Sequence, residues 1–540
     1  MSAKISVKCA GSSSGSSSGS SFGKFSAGGK QMRVLGLVAS AAFLVLLAAC
    51  STNANVTGVG CPGNTGSFSN ASLPANSQWT YELSGTQGNT SVASGVSPYR
   101  EAGVITVDGN GHITSGTDDF YQQGLGGVSG YVGPTAITGT YSITPNGTGN
   151  MTVSFGAGSP LTWAITVQGN SFYIIETDSF ASAHGVAHQQ TGPFAAPSGT
   201  FAFRVHALGN ASGTSSAVGE MTVSGGNISG GTVDFLNGSV LSTQTVSGSF
   251  TTPDTTGRGT ATINYGNASF AFAYLMIDSN TMQLFETDSN AAVGRMEAQT
   301  GPGSFTNASF SGPYAFGSFG DSASNYGGAD TVGQLTADGS GNLVSGSYDG
   351  AQDGNVFSVA GLGLNPGTYS VAANGRFTMT VNGAGASAVT VIGYLASSTR
   401  AFFLFNDITK NEDGTMDAQS SSSFATTDLS SQFAMLMGGF DSTDFVDRTG
   451  IVQADGKGGL NTVYVLNRTG VVSSPGCLSG TYTIAANGRV VGNVTSLSSN
   501  LVLYMVSPNQ AYILQGDGGA QIYGGMAVQS SPVADPPGAF

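Results

Sequence analysis

The sequence predicts an all-β protein of four tandem antiparallel meander domains, each with about eight strands and each expected to close into a small β-barrel. Three observations predict it. Glycine supplies 83 of 540 residues and charged residues only 9%, against roughly 7% and 25% in ordinary globular chains. One pattern recurs four times at about 110 residues. Short apolar runs alternate with Asp-Gly and Asn-Gly turn signals, and no helical period follows residue 50. Such a chain is not a coiled coil, which is rich in Ala, Glu, Lys, Leu and Arg, nor a collagen, which needs glycine at every third position. A hydrophobic content of 39% also argues against charge-driven disorder.

From the N-terminus, residues 1–49 read as a leader and signal segment. A Gly/Ser stretch precedes Met32-Arg33, where translation is expected to start, and Val34 to Ala49 is a sixteen-residue apolar run. That run is short for a membrane span of about 20 residues and has the basic flank of an export signal. Leu47-Ala48-Ala49-Cys50 resembles the lipobox of bacterial lipoproteins, which implies lipidation of Cys50 and a membrane attachment through that lipid. Residues 50–67 then form a linker. The leader holds five of the 16 basic residues and none of the 30 acids, so its removal leaves 11 bases against 30 acids, a net charge of −19. Nucleic-acid binding is not expected of such a chain, because it needs clustered Lys and Arg. Cys61 and Cys477 remain in an exporting, disulfide-permissive context; a bridge between them and two separate thiols are both open.

The repeats are expected at 68–192, 193–302, 303–422 and 423–531, followed by a tail, 532–540. Their aromatic marks Tyr141, Phe250, Tyr369 and Tyr482 are 109, 119 and 113 residues apart. Each precedes a glycine turn, at Asn146-Gly147, Gly257-Arg258, Asn374-Gly375-Arg376 and Asn487-Gly488-Arg489. Each repeat ends on a glutamine: Gln190, Gln299, Gln419 and Gln529. A period this long signals whole domains in tandem and not a short-repeat solenoid.

Within a repeat, Phe201, Phe203 and Val205 alternate onto one strand face. Phe270, Phe272, Tyr274 and Met276 share one face and Ala271, Ala273, Leu275 and Ile277 the other, so that strand is expected to be covered on both sides. Short connections imply antiparallel neighbours, and eight meandering strands hide their edges best by closing into a barrel. A β-sandwich is the alternative, propeller-like blades a more distant one, and a transmembrane barrel is not expected, since no lipid-facing band appears.

The chemistry-bearing candidates are few. Asp108-Gly109-Asn110-Gly111-His112 places oxygen ligands as calcium loops do, but Ile113 stands where an EF-hand needs glycine, and the copies at Asp338 and Asp455 read as hairpin turns. His184 and His188 are four apart without the glutamate of a zinc protease, and are expected as an exposed pair in a loop entering a strand; no metal or cofactor is expected. Glu176 with Asp178, and Glu286 with Asp288, place two acids on one strand face, where they can contact a ligand or serve a hydrolase. The third and fourth copies read Asn406-Asp407 and Gln515-Gly516-Asp517, which suits strand-end hydrogen bonding better than acid–base catalysis.

The lipobox, the linker and the elements Val107-Asp108-Gly109-Asn110-Gly111 and Gly480-Thr481-Tyr482 through Gly488-Arg489 together resemble exported bacterial lipoproteins of acidobacterial type with tandem Gly/Ser/Thr-rich β-repeats. The resemblance implies export and anchoring at the outer membrane or cell surface, and no catalytic residue. The function expected is a lipid-anchored envelope protein with a binding, adhesive or structural role, a glycan or envelope component being the candidate partner. Carriage of a small ligand in barrel cavities is the alternative, and a hydrolase using Glu176 and Asp178 the third.

Overall fold

The computed structural model describes Cys61 and residues 66–530, apart from 88–97, 123–129, 211–212, 289–290, 323–327, 363–365, 384–387, 408–409, 442–443, 495–498 and the single residues 157, 180, 239, 302, 353 and 518. The leader, the lipobox with Cys50 and the tail lie outside the described residues. Four closed antiparallel barrels follow one another, as the repeats predict, barrels 1 and 2 with eight strands each and barrels 3 and 4 with the fourth strand divided into two short ones. Barrel 1 runs from β1 (Ser77–Gln87) to β8 (Ala181–Gln189), and barrel 2 from β9 (Gly199–Asn210) to β16 (Ala292–Ala298). Barrel 3 runs from β17 (Ser311–Ser322) to β25 (Lys410–Ala418), and barrel 4 from β26 (Gln432–Asp441) to β34 (Ala520–Val528). Strands pair in chain order, except that β19 (Asn342–Gln352) and β28 (Gly459–Arg468) each pair with both of the two strands that follow, and the last pairs with the first, as β1 with β8, so no long edge is left open.

The period-two pattern divides each strand between two apolar environments. Phe201, Phe203 and Val205 point into barrel 2, where they meet Phe272, Tyr274 and Met276. The opposite face of that last strand, Ala273 and Leu275, packs against Ala102, Val104 and Tyr121 of barrel 1. Coverage of both faces is what the all-apolar run at 270–276 called for. Tyr141, Phe250, Tyr369 and Tyr482 lie in the four separate cores.

The outer faces join the barrels in a ring. Ala202, Val218 and Leu236 of barrel 2 pack on Tyr394, Phe402 and Leu404 of barrel 3. Ala315 and Val332 of barrel 3 pack on Tyr504, Tyr512 and Tyr523 of barrel 4. Ala434 and Leu436 of barrel 4 then return to Tyr173, Ile175 and Val186 of barrel 1.

The glutamine closing each repeat latches it to the next. Gln190 Nε2 donates to the carbonyls of Thr256 and Met276, Gln299 to Asn374 and Leu395, and Gln419 to Asn487 and Met505. Gln529 of barrel 4 donates to Asn146 and Val167 of barrel 1, which closes the circle. The glycine of each receiving turn must be bare: at Gly375, with φ +86°, a Cβ would stand 2.8 Å from the Gln299 amide nitrogen.

Three seams carry an arginine clamp. Asp119 receives Nε and Nη2 of Arg258, both at 2.7 Å, Asp234 receives Arg376 at 2.7 and 2.8 Å, and Asp349 receives Arg489 at 2.7 and 2.6 Å. Each aspartate also accepts a tyrosine hydroxyl, from Tyr131, Tyr394 and Tyr504 respectively. The closing seam between barrels 4 and 1 has Val465 and Thr148 at the corresponding strand positions. There, Ser182 Oγ and His184 Nδ1 both meet the Asp447 carboxylate at 2.5 Å, and Asn467 Nδ2 donates to the carbonyls of Glu176 and Ala181. Cys61 and Cys477 are joined by a disulfide, which ties the segment before barrel 1 to barrel 4.

Candidate functional site

The four barrels are not equally filled. The interior of barrel 1 is packed by Trp79, Tyr81, Tyr99, Trp163 and Phe172, all essentially unexposed. In barrel 4 Arg448 and Tyr464 project inward, Arg448 donates to Gln515 Oε1 at 2.6 Å, and about 30 Å³ of open space remains. Barrel 3 holds a chamber of about 350 Å³.

In barrels 1 and 2 a single strand, β4 (Gly130–Ile143) and β12 (Val240–Phe250), covers the third strand of the barrel. In barrel 3 that duty is divided between β20 (Asn355–Val359) and β21 (Gly367–Val371), as it is in barrel 4 between β29 (Val471–Ser473) and β30 (Leu478–Ile484), so the division alone does not open the space. β21 meets the third strand, β19 (Asn342–Gln352), only at Asn342–Thr368 and Leu343–Gly367. β20 pairs with Tyr348–Gln352 of β19, and Phe357, Val359 and Leu362 line the wall there. Phe316, Leu335, Met379, Val391, Phe405 and Met416 supply the apolar body of the chamber. Its other end is stopped by a 3-10 turn, Asn307–Ser309, whose Asn307 Oδ1 accepts the Val371 N–H and which delivers Phe310 into the core.

The polar groups of the chamber are few and convergent. Lys410 and Asp407 lie at one rim, and Thr331, Gln334 and Gln352 along one side. The Lys410 ammonium sits 4.5 Å from the centre of the Phe405 ring and is paired with Glu412, which is itself fully buried. Glu412 Oε1 receives the Ser318 hydroxyl at 2.5 Å. The Thr331 hydroxyl is buried without a hydrogen-bond partner in the protein.

The other barrels act as internal controls for these positions. Ser318 pairs with Gly414 as Leu83 pairs with Gly185, Val205 with Gly294 and Met437 with Gly524. Counting back two residues from those glycines, Glu412 stands where the others have Ala183, Ala292 and Ile522. Lys410 stands where barrels 1 and 4 have Ala181 and Ala520. A burial cost that three barrels avoid with apolar side chains is accepted in the hollow one.

The carboxylates singled out from sequence lie elsewhere. Glu176 is fully buried inside barrel 1, where desolvation, reinforced by Glu101, pushes its pKa up. Asp178 lies beside it and adds to that shift, and its Oδ2 accepts the Thr162 N–H at 3.1 Å. Asp288 accepts the Ala271 N–H and Asp517 the Asn500 N–H in the same way, so the second acid is a strand-end cap in three barrels. Glu286 is buried in barrel 2. Asp108 binds the backbone of Asn110 and His112, the hairpin role expected.

The histidine expectation is corrected. His184 and His188 lie within strand β8, not in a loop, and are 6% and 3% exposed, because that face of β8 is covered by neighbouring barrels. His184 is bonded to Asp447 of barrel 4, and His188 approaches Arg295 of barrel 2 at 3.5 Å, which together with burial pushes its pKa down. They belong to a buried ionic belt on the ring axis. Asp413 there holds Arg204 at 3.1 Å and His206 at 2.6 Å. Glu297 joins Arg295 at 2.8 Å to Arg400 at 3.0 Å. A second space of about 80 Å³ lies on this axis, lined by residues of all four barrels, among them Arg100, His206, Asp330 and Asp447.

Neither the chamber nor the axial belt was anticipated residue by residue. The signal was present: aligning the copies on the glycines of the eighth strands exposes Lys410-Asn411-Glu412-Asp413 as a polar run opposite Ala181-Ser182-Ala183-His184. Fold and site together define a ring of four β-barrels in which one barrel is a hollow, mostly apolar receptacle.

No family model and no curated protein matches the chain. Among solved structures, it is similar to a double mutant of transferrin binding protein B from Haemophilus parasuis, with 12% identity over 63% of this chain and 75% of that one and a TM-score of 0.18. A structure of intact Ap-TbpB with both lobes is similar at 9% identity, 66% and 82% coverage and a TM-score of 0.15.

Proposed function

We propose that this protein is a lipid-anchored envelope protein that binds a small apolar molecule inside barrel 3, while the other three barrels hold that receptacle rigidly in a ring. The observation that carries the reading is the chamber itself, about 350 Å³ in a molecule whose fourth barrel retains about 30 Å³. Pockets that bind small molecules begin at roughly 300 Å³ and combine apolar walls with a few polar groups. An apolar cavity of about 150 Å³ takes benzene, and this chamber has more than twice that volume. Export and attachment at Cys50 rest on the lipobox and on the acidic chain left after cleavage. Among the described residues no helix is long and apolar enough to cross a membrane.

A titration of the mature chain with N-phenyl-1-naphthylamine tests the receptacle. Saturable fluorescence enhancement is expected from the native protein, and loss of it from Met379→Trp, which fills the chamber. Equal enhancement in both would refute the assignment to barrel 3. Anchoring is tested separately: Cys50→Ser is expected to move the protein out of the membrane fraction.

A further inference from the structure

We infer that the chamber of barrel 3 selects an uncharged amphiphile, an apolar body ending in one hydrogen-bond acceptor such as a ketone, ester or alcohol oxygen, and rejects the matching carboxylate; this rests on the receptacle reading above. An ammonium has three donors. Lys410 commits its charge to Glu412 and one flank to the Phe405 ring, which leaves a donor for a ligand oxygen at the chamber rim. Its field is already balanced. Glu412 neutralises it from behind, and Asp407 places a second acid at the same rim. Three ionisable groups thus sum to one negative charge around the only cation lining the chamber among the described residues.

A carboxylate entering here would surrender its hydration to meet a lysine that already has a partner, beside two acids of its own sign. Like charges at this range repel, and an incompletely paired buried anion is costly. A neutral oxygen meets the same donor without that penalty. The Thr331 hydroxyl, buried and without a protein partner, offers a second contact that needs no charge. Barrels 1 and 4 also turn charged groups inward, at Glu176 and Arg448, but not at these positions, where Ser318, Glu412 and Lys410 replace the apolar residues that the other barrels carry at the corresponding described positions.

The test is displacement of N-phenyl-1-naphthylamine from the mature chain at pH 7.5 by decan-2-one and by sodium decanoate, which share an apolar chain. Decan-2-one is expected to displace the dye at a concentration at least roughly tenfold lower. In the double variant Lys410→Met/Glu412→Gln, which leaves no buried charge unpaired, decan-2-one is expected to weaken by about fivefold, the loss of one hydrogen bond. Displacement by decanoate at an equal or lower concentration would overturn the selectivity while leaving the receptacle intact. An unchanged decan-2-one midpoint in the double variant would remove Lys410 as the donor. Failure of the dye itself to bind would instead sink the receptacle reading.

Discussion

Glu82 offers a quantitative test of the buried belt. It lies on β1 of barrel 1, facing outward toward the ring axis, and only 6% of it is exposed. Burial pushes its pKa from 4.5 up to about 8, against the opposing pull of Arg204, Arg100 and Arg295. The folded protein therefore holds a proton on Glu82 that the unfolded chain releases near pH 4.5. Between these values the unfolded state binds fewer protons, so stability falls as pH rises. The contribution is fully present below pH 4.5 and is lost as pH passes through about 8. A shift of about 3.5 units at 1.36 kcal/mol each amounts to about 5 kcal/mol. Glu82→Gln keeps the shape and cannot ionise. Urea unfolding of native protein and variant from pH 4.5 to 9 is followed conveniently by tryptophan fluorescence, since Trp79 and Trp163 both lie in barrel 1. The stability of the variant relative to native is expected to rise by several kcal/mol across that range. If Glu82 were instead ionised and paired with its arginines, its linkage would lie below pH 4.5 and the gap would stay constant across this range; a gap independent of pH refutes the argument.

Other substitutions address the ring. Gln529→Ala strips two buried carbonyls, Asn146 and Val167, of their donor and is expected to cost about 1–3 kcal/mol in chemical denaturation, with a similar loss for Gln190→Ala at its own seam. Asp234→Ala leaves Arg376 and Tyr394 without their acceptor and is expected to cost about 3–5 kcal/mol, measured the same way. Gly438→Ala would place a methyl 2.0 Å from His184 Cε1 and is expected to loosen the seam between barrels 4 and 1, destabilising by about 1–3 kcal/mol or more and raising amide exchange in β8. Gly130→Ala, with φ +118° and no neighbour within 4 Å of the added carbon, separates backbone strain from packing and is expected to leave exchange in β8 unchanged.

The barrels were legible because their causes are local and repeated. Alternation at Phe201–Val205 assigns an inner face, the double-sided run at 270–276 announces an outer contact, and Asn-Gly turns force hairpins. The pairs ending in Asp178, Asp288 and Asp517 were likewise readable as strand-end groups, because the first acid, Glu176 or Glu286, becomes an amide at Asn406 and Gln515 in the other copies. What joins one barrel to another was visible only as repetition without a partner. The arginine after the turns at 257, 375 and 488 meets an aspartate more than a hundred residues away, and nothing local tells that Gln529 of the last repeat reaches Asn146 of the first. His184 and His188 were misread for the same reason, since their burial comes from barrels 4 and 2 and not from their own strand. The chamber is lined from strands far apart in the chain, among them those carrying Phe316, Tyr348, Met379, Phe405 and Met416, and no local pattern reports that their packing leaves a space.

The latch from Gln529 back to the Asn146 turn has a consequence for copy number. In an open array each end unit exposes a face that its siblings bury, so such proteins need specialised caps and can gain or shed units with modest penalty. A circle has no end unit. Here every barrel has two neighbours, the first and last being neighbours of each other, and the angle between successive barrels is spent on closing at four. Deleting one repeat would leave three barrels with two unmatched faces, and adding a fifth would strain or break the circle. Duplication, the easiest route by which repeat proteins grow, is therefore closed to this one; it can diversify only by altering a barrel in place, which is the pattern barrel 3 displays.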